Sequence, residues 1–552
     1  MAEHELNKSP LRCFNTSIFV NQAGYLPNSK KIATITSSAK SFCVIDENGN
    51  KIFTGDTTYF GKDKYSQDSV YFADFSKVTE CGRYRIELDN GDKSLSFEIS
   101  DKVYDKTLYD LIRAFYFLRC GCELKEENAG EYTHPECHTS KAVLWDDHSQ
   151  ELDVSGGWHD AGDYGRYVTA ACCALSHLLY ACKLFPDVLD KLQLNIPESG
   201  NATPDMLNEC RYELEWMLKM QRNDGGVYHK VTTALHAPFI MPQDDKEQLY
   251  VFSVSSIATA DLSAICALAS GIYKKYDEEF AQKLYKASMS AYSWLEANPN
   301  FVEFRNPNGN NTGPYWESDD TDNRFWASCE MFSLTGDIKY HDDIKRLISK
   351  EFSLSDLGYG SVGGFGSMAY LFSGKENLDD EISSAMKSAI RSKAQQLRDY
   401  SDNCGYRVAM TELDYCWGSN MILMKQGMNF ALADIISNDN NYYSYACSQF
   451  DYLLGVNATG YSYVSGTGDF CVNYPHLRPA HADGIERCMP GMVSGGPNRR
   501  PCPNDMEVTG FGSDVPPMKS FMDDVGCYSL NEITIYWNSP TVFTLCYILS
   551  NK

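Results

Sequence analysis

Thr203-Pro204-Asp205-Met206-Leu207-Asn208-Glu209-Cys210-Arg211-Tyr212-Glu213-Leu214-Glu215-Trp216-Met217-Leu218-Lys219-Met220-Gln221 sets the character of most of this chain. Met206, Leu207, Cys210, Leu214, Met217 and Leu218 recur at three- and four-residue spacings, the period of one helix face. Thr203 as N-cap and Pro204 at the first helical position supply a start, because proline has no N–H to leave unpaired there. The same period predicts helices over 105–118, 166–185, 255–276, 280–297, 323–335, 341–351, 379–399, 418–437, 442–454 and 539–550. That many helices with few strands among them need a closed architecture, an α/α barrel or a solenoid, to bury their apolar stripes. No self-similarity at a fixed period is visible, which sets a simple repeat array aside.

Upstream the period drops to that of strands. Ser17-Ile18-Phe19-Val20, Ile32-Ala33-Thr34-Ile35 and Ser41-Phe42-Cys43-Val44-Ile45 are short β-rich runs, and Arg83 to Leu88 alternates apolar with polar. Asn48-Gly49 predicts a type I′ hairpin turn, with positive φ at both residues, and Asn90-Gly91 turns the chain into Leu95 to Ile99. The expected fold is a mainly α chain: an immunoglobulin-like β-sandwich over 16–100, then a helical domain over 104–552.

The 552 residues carry 49 Lys and Arg against 74 Asp and Glu, a net charge of −25 that disfavours nucleic acid and anionic membranes as partners. The apolar run from Val542 to Leu549 is far too short to span a bilayer. The opening MAEHELNKSP has neither a basic nor an apolar segment of the kind a secretory signal needs. Most of the 20 cysteines, among them Cys172, Cys173, Cys182, Cys210, Cys266 and Cys447, fall in helical apolar patterns and read as buried reduced thiols. The expectation is a cytoplasmic monomer; a chain whose signal had been cleaved would read the same and be secreted. Long polar stretches at 222–247, 300–321, 356–366 and 456–516 exceed ordinary connectors and are expected to be functional.

Four groups of residues could carry chemistry. In Gly156-Gly157-Trp158-His159-Asp160-Ala161-Gly162-Asp163-Tyr164-Gly165, two carboxylates three residues apart lie in a glycine-bounded loop. They could share one proton as an acid–base pair, or cap a helix starting near Tyr164 to Val168; the flanking Trp158 and Tyr164 favour a sugar site. Glu532 leads into the apolar segment Ile533 to Trp537, where desolvation would keep it protonated; a surface helix cap is the plainer alternative. His476-Leu477-Arg478 offers donors for sugar hydroxyls, and equally an anchor for its own loop. Cys120, Cys137, His138 and His159 supply the ligand types of a tetrahedral zinc, with Cys122 and His134 as competitors.

With these residues in view the chain resembles family 9 glycoside hydrolases of the subgroup with an N-terminal immunoglobulin-like domain. The resemblance rests on Val20-Asn21-Gln22-Ala23-Gly24-Tyr25, the Asp160-Ala161-Gly162-Asp163 loop, Asp451-Tyr452-Leu453-Leu454-Gly455-Val456-Asn457, Pro475-His476-Leu477-Arg478, Gly495-Gly496-Pro497-Asn498 and Tyr528-Ser529-Leu530-Asn531-Glu532. It implies a six-fold α/α barrel and cleavage of β-1,4-glucans with inversion. It further implies Asp163 as catalytic base, Asp160 as a holder of the attacking water, and Glu532 as general acid. His476 and Arg478 are implied as sugar contacts and Asp523 as a positioning aspartate, and we add Trp158 and Tyr528 as further substrate contacts. Cys120, Cys137, His138 and His159 match the subgroup's structural zinc ligands. A calcium loop would fall at Ser318 to Asn323, with Asp322 and Asn323 as ligands, although Asn323 stands where an acidic residue is usual. No organic cofactor is implied. Leu477 replaces a histidine often found there, and no carbohydrate-binding module follows, which suits short soluble substrates.

The expected activity is inverting hydrolysis of soluble β-1,4-glucan and cellodextrins, with the two carboxyl groups about 6.5–9.5 Å apart to admit a water. An exo-acting cellodextrinase or a glucosaminidase would use the same carboxylates. A zinc hydrolase and a non-catalytic glycan-binding protein are the rivals from other classes.

Overall fold

The computed structural model describes residues 16–512 and 514–552, so residues 1–10, which carry the reading of a missing signal, lie outside the described residues. Its first eight strands are β1 (Ile18–Phe19), β2 (Ile32–Ile35), β3 (Ser41–Asp46), β4 (Lys51–Asp56), β5 (Thr58–Lys62), β6 (Ser69–Asp74), β7 (Gly82–Leu88) and β8 (Phe97–Ile99). They form two four-stranded sheets, ordered β1-β2-β6-β5 and β4-β3-β7-β8, with Val44 opposite Ile86 in the second. Phe42, Val44, Ile86 and Leu88 from one sheet share a core with Ala33, Ile35 and Ala73 from the other, which makes the pair a sandwich. The β3–β4 turn is not the expected type I′. Of its two central residues only Gly49 has positive φ, at 85°, and the Asp46 carboxylate instead ties the turn by accepting the Asn48 and Asn50 N–H groups.

β2 is buried along its whole length because its outer face lies against the helical part. The loop after β5 makes part of this junction. Asp63 accepts the Gly405 N–H at 2.9 Å, and Asp68 accepts from the Tyr406 hydroxyl at 2.9 Å and from Lys519 at 2.5 Å. The Tyr65 ring packs 5.7 Å from that of Tyr415.

The longer helices are α1 (Asp105–Phe117), α2 (Val168–Leu184), α3 (Asp205–Lys219), α4 (Ser256–Tyr273), α5 (Glu278–Ala297), α6 (Thr321–Thr335), α7 (Ile338–Leu347), α8 (Gly363–Leu371), α9 (Asp380–Asp402), α10 (Ser419–Ser437), α11 (Tyr443–Leu453) and α12 (Ile535–Ser550). They sort into two layers by sequence. α9 buries only Ile382, Ser383, Met386, Ile390, Ala394, Leu397 and Ser401, an amphipathic stripe of an outer helix. In α2 every residue from Val168 to Ala181 is buried, and in α12 every residue from Ile535 to Leu549. Helices apolar on all sides belong inside. α2 packs on α4, α4 on α6 and α6 on α8; α9 links α8 to α10, and α10 packs on α12, which returns to α2. By length and composition α4 could cross a bilayer, yet 89% of it is buried within the protein.

Three readings need correction. α3 starts at Asp205 with Pro204 as its N-cap; the Thr203 side chain caps nothing, and its carbonyl accepts from Asn208 at 3.1 Å. α12 starts at Ile535, four residues earlier than the pattern indicates, with Pro540 inside it. The stretch 356–366 contains the start of α8, hidden by glycines that look like loop punctuation. They are there for close packing: a Cβ on Gly363 would lie 2.2 Å from the Ser353 carbonyl oxygen.

A small sheet among the helices went unread because its strands are two or three residues long. β9 (Ala142–Leu144), β10 (Glu151–Leu152), β11 (Arg166–Tyr167), β12 (Lys230–Thr232) and β13 (Tyr250–Val251) run in the order β10-β9-β13-β12-β11. β11 feeds directly into α2 and so fixes the exit of the acidic loop. All the described cysteines are free thiols.

Candidate active site

The acidic loop is held on both sides. The Asp160 N–H donates to Gly165 O at 3.0 Å, and Asp160 O accepts the Ile535 N–H at 2.8 Å, just after Glu532. Ala161 pairs with Thr534, and His476 with Glu532, so segments far apart in sequence meet as a patch of irregular sheet. Gly162 is the point of closest approach: a Cβ there would lie 2.1 Å from His476 O. Neither aspartate caps a helix, since α2 begins only at Val168 with Tyr167 as its N-cap.

The three carboxyl groups face one cleft of about 590 Å³. Burial pushes Asp163 upward, but His236, Arg478 and the Tyr167 hydroxyl outweigh it and hold that carboxyl well below the usual range. The contacts are direct: His236 Nδ1 is 3.3 Å from Asp163 Oδ2, the Tyr167 hydroxyl 3.0 Å and the Gly165 N–H 3.1 Å. Glu532 goes the other way. Burial, then the charges of Asp163 and Asp160, push it well above an ordinary glutamate. Asp160 is raised chiefly by burial, accepts from the Tyr315 hydroxyl at Oδ2, and leaves its buried Oδ1 without a protein partner. The cleft therefore holds one carboxyl pushed toward its ionised form and another pushed toward its protonated form, which is the requirement for paired base and acid.

Aromatic side chains wall the cleft. Trp316 and Trp417, 38% and 46% exposed, line it, whereas Trp158 is 1% exposed. Trp158 is a core residue, against the expectation of a sugar contact: its Nε1 donates to Glu209 at 2.8 Å and its ring packs on Phe115. Tyr315, Tyr359 and Tyr536 line the cleft as a mutually packed cluster, with ring centroids 4.9, 5.4 and 5.9 Å apart. Sequence reasoning missed His236, Tyr167, Tyr315, Trp316, Tyr359 and Trp417. Three of the stretches flagged for their length (222–247, 300–321 and 356–366) contain four of them.

The other expected contacts divide by role. Arg478 donates from Nε to Ala237 O at 2.7 Å and from Nη1 to Gly162 O at 2.5 Å, and it is buried, so it acts as the loop anchor. His476 is fixed by Val525 O at Nδ1, 2.6 Å away, and burial pushes it down to about 4, so it is neutral. Tyr528 lies half-buried between the rings of His476 and Trp417, at 5.7 Å and 5.3 Å. Asp523 accepts the Asn473 and Tyr474 N–H groups and the Asn531 amide at 2.9 Å, bracing the residue before Glu532.

Behind the acidic loop, the ligand atoms of Cys120, Cys137, His138 and His159 lie within 4.8 Å of one another, all buried. Two thiols and two imidazoles fit a tetrahedral ion, whose ligands stand about 3.3–3.8 Å apart. Asp245 Oδ2 is 3.3 Å from His138 Nε2, the outer carboxylate that such a histidine commonly has. His134 is outside the group, with Nδ1 2.7 Å from Pro135 O, and so is Cys122. Asp322 and Asn323 join no such group among the described residues. Asp322 accepts the Val362 N–H at 2.9 Å and Asn323 donates to Asp261 at 2.9 Å.

A family model described as "Glycosyl hydrolase family 9" matches residues 104–545, and one described as "Cellulase N-terminal ig-like domain" matches 14–93. A protein named cellodextrinase from Butyrivibrio fibrisolvens is 44% identical, the match covering 96% of this chain and 99% of that one. A thermostable endoglucanase from Alicyclobacillus acidocaldarius superposes with TM-score 0.90 at 32% identity, covering 97% and 99% of the two chains. A Zn-binding triple mutant of endoglucanase J30 superposes with TM-score 0.89 at 31% identity, covering 96% and 100%.

Proposed function

Since the chain belongs to glycosyl hydrolase family 9, we propose that it hydrolyses β-1,4-glucans with inversion, acting on soluble glucan and cellodextrins. The observation that carries this reading is that Asp163 and Glu532 line one aromatic cleft whose surroundings push the first toward its ionised form and the second toward its protonated form. Glu532 protonates the glycosidic oxygen as it leaves. Asp163 takes a proton from a water on the opposite face of the sugar, and that water attacks the anomeric carbon. The three protein partners of Asp163 all bind Oδ2, which leaves its Oδ1 for the water. Asp160 Oδ1, which has no protein partner, gives the same water a second hydrogen-bonding partner. Trp316 and Trp417 would stack on sugar rings, with Tyr528 and His476 extending the surface beyond Trp417.

The helical layers support a six-fold α/α barrel, with α2, α4, α6, α8, α10 and α12 as its inner ring. We divide the chain at 16–100 and 104–552 on the same basis. Cys120, Cys137, His138 and His159 would hold a structural zinc, which when bound ties three chain segments together and contributes folding energy. The free thiols suit a reducing compartment, and cell fractionation with an activity assay tests a cytoplasmic location.

Proton NMR of cellohexaose during hydrolysis decides the main reading. The α-anomer is expected as the first product; release of the β-anomer first, or no cleavage, would overturn it.

A further inference from the structure

Tyr315, whose hydroxyl binds Asp160, has a φ of +40°, a conformation that costs any residue with a Cβ. Something outside it must hold it there. The two residues before it, Gly313 and Pro314, are gripped through their carbonyl oxygens by Lys230, the first residue of β12, and His229, the residue before it. Lys230 Nζ donates to Gly313 O at 2.8 Å, and His229 Nε2 lies 2.9 Å from Pro314 O.

The grip is wider than these two bonds. Lys230 Nζ also meets Asn306 Oδ1 at 2.8 Å and both Asn310 Oδ1 and Thr312 Oγ1 at 2.9 Å. Every one of these acceptors is neutral and every one lies on the 306–313 segment. The ammonium lies 4.7 Å from the centre of the Phe252 ring and 5.5 Å from that of Phe304, a desolvated place for a cation. His229 stacks on Phe304 with centroids 3.9 Å apart, its Nδ1 fixed by the Ser255 hydroxyl at 2.9 Å. Burial pulls the Lys230 amine down to about 7, and with no carboxylate bonded to it the group is accommodated only if these oxygens adopt one arrangement, which is what a loop needs to be held in a single shape.

We propose that Lys230, with His229, is a positioning residue of the hydrolytic site: it clamps the 306–316 loop so that Tyr315 is held strained against Asp160 and Trp316 is presented to the sugar. The proposal rests on the carboxylate roles proposed for this site. Trp316 gains a second hold from the residues just before this loop: Arg305 lies 3.8 Å from the centre of its ring and Glu303 accepts from its Nε1 at 2.7 Å. One indole face is thus covered and the other left for a ligand.

The test is a double-mutant cycle on cellotetraose between Lys230→Met and Tyr315→Phe, with Glu532→Gln assayed alongside. In the wild-type background Tyr315→Phe is expected to lower kcat by about tenfold or more, and in the Lys230→Met background by less than about twofold, because the hydroxyl is already misplaced. Lys230→Met alone should also raise KM and blunt the tryptophan fluorescence change on adding cellobiose. Additive effects of the two substitutions, or a Lys230→Met enzyme with wild-type kcat and KM, would overturn the proposal. If Lys230→Met does not fold, Asn306→Ala with Asn310→Ala removes acceptors from the loop side; wild-type kinetics there would overturn it as well, and loss of kcat would support it. An active Glu532→Gln enzyme would instead remove the carboxylate roles on which the proposal stands.

Discussion

His236 Nδ1 lies 3.3 Å from Asp163 Oδ2, so the carboxylate proposed as base is held charged by a side chain from a loop 73 positions downstream. Replacing His236 by Ala should therefore move the acid limb of the pH profile of kcat/KM to higher pH. Loss of a partner at this range is worth about one to three pH units. An acid limb that stays put in His236→Ala would mean that Arg478 and Tyr167 suffice.

Glu532→Gln and Asp163→Asn should each fold and lose about 10²–10⁴-fold in kcat, since each removes one of the two proton transfers. Circular dichroism and cellotetraose kinetics check both. Near wild-type turnover in either variant would remove that residue from the chemistry.

The same substitution at Glu532 should raise stability. The folded-state affinity of Glu532 for its proton is raised above the unfolded value, so folding free energy is lost as pH rises from the unfolded value through the folded one. Each tenfold difference in that affinity corresponds to about 1.4 kcal/mol. Above the ordinary glutamate range, Glu532→Gln should melt at a higher temperature than the wild type, and the gap should shrink toward pH 4. A gap of equal size at both pH values would mean that the gain has another source.

Purified protein should contain one zinc per chain, and Cys137→Ser or strong chelation should lower its melting temperature. Because the four ligands fill a tetrahedral ion, the fraction still folded should keep its kcat. Loss of kcat without loss of folded protein would point to a direct role for the metal.

Trp316→Ala and Trp417→Ala should each raise KM for cellotetraose more than they lower kcat. An aromatic stacking contact is worth about 0.5–1.5 kcal/mol, or roughly 2- to 12-fold. Isothermal titration with cellobiose would show the same loss directly.

What could be read beforehand follows the reach of each signal. The helical period and the strand runs are local, and they placed most elements within a few residues. Asp160, Asp163 and Glu532 could be singled out because glycines and aromatics flank them in the chain itself. Trp158 misled for the same reason: an indole beside two carboxylates looks alike whether it faces a sugar or Glu209. Lys230, His236 and Tyr315 lie in stretches marked only by their length, with no carboxylate to single them out. Their roles come from partners brought near by β12 and by the pairing of Ala161 with Thr534, which no spacing reveals. α8 was concealed because glycine serves both loops and tight helix packing.

α12 is the last helix of the chain, yet it packs against α2, the first of the inner layer, and against α10. During synthesis α2, α4, α6, α8 and α10 all leave the ribosome before the segment that closes them exists. At about 5–20 residues per second, the stretch from the end of α2 to the end of α12 takes roughly 20–70 s to make. Through that time α4, apolar enough to pass for a membrane span, has no completed interior to enter. The nascent chain should need protection by a chaperone until the sixteen residues of α12 have been translated and can pack against α2 and α10.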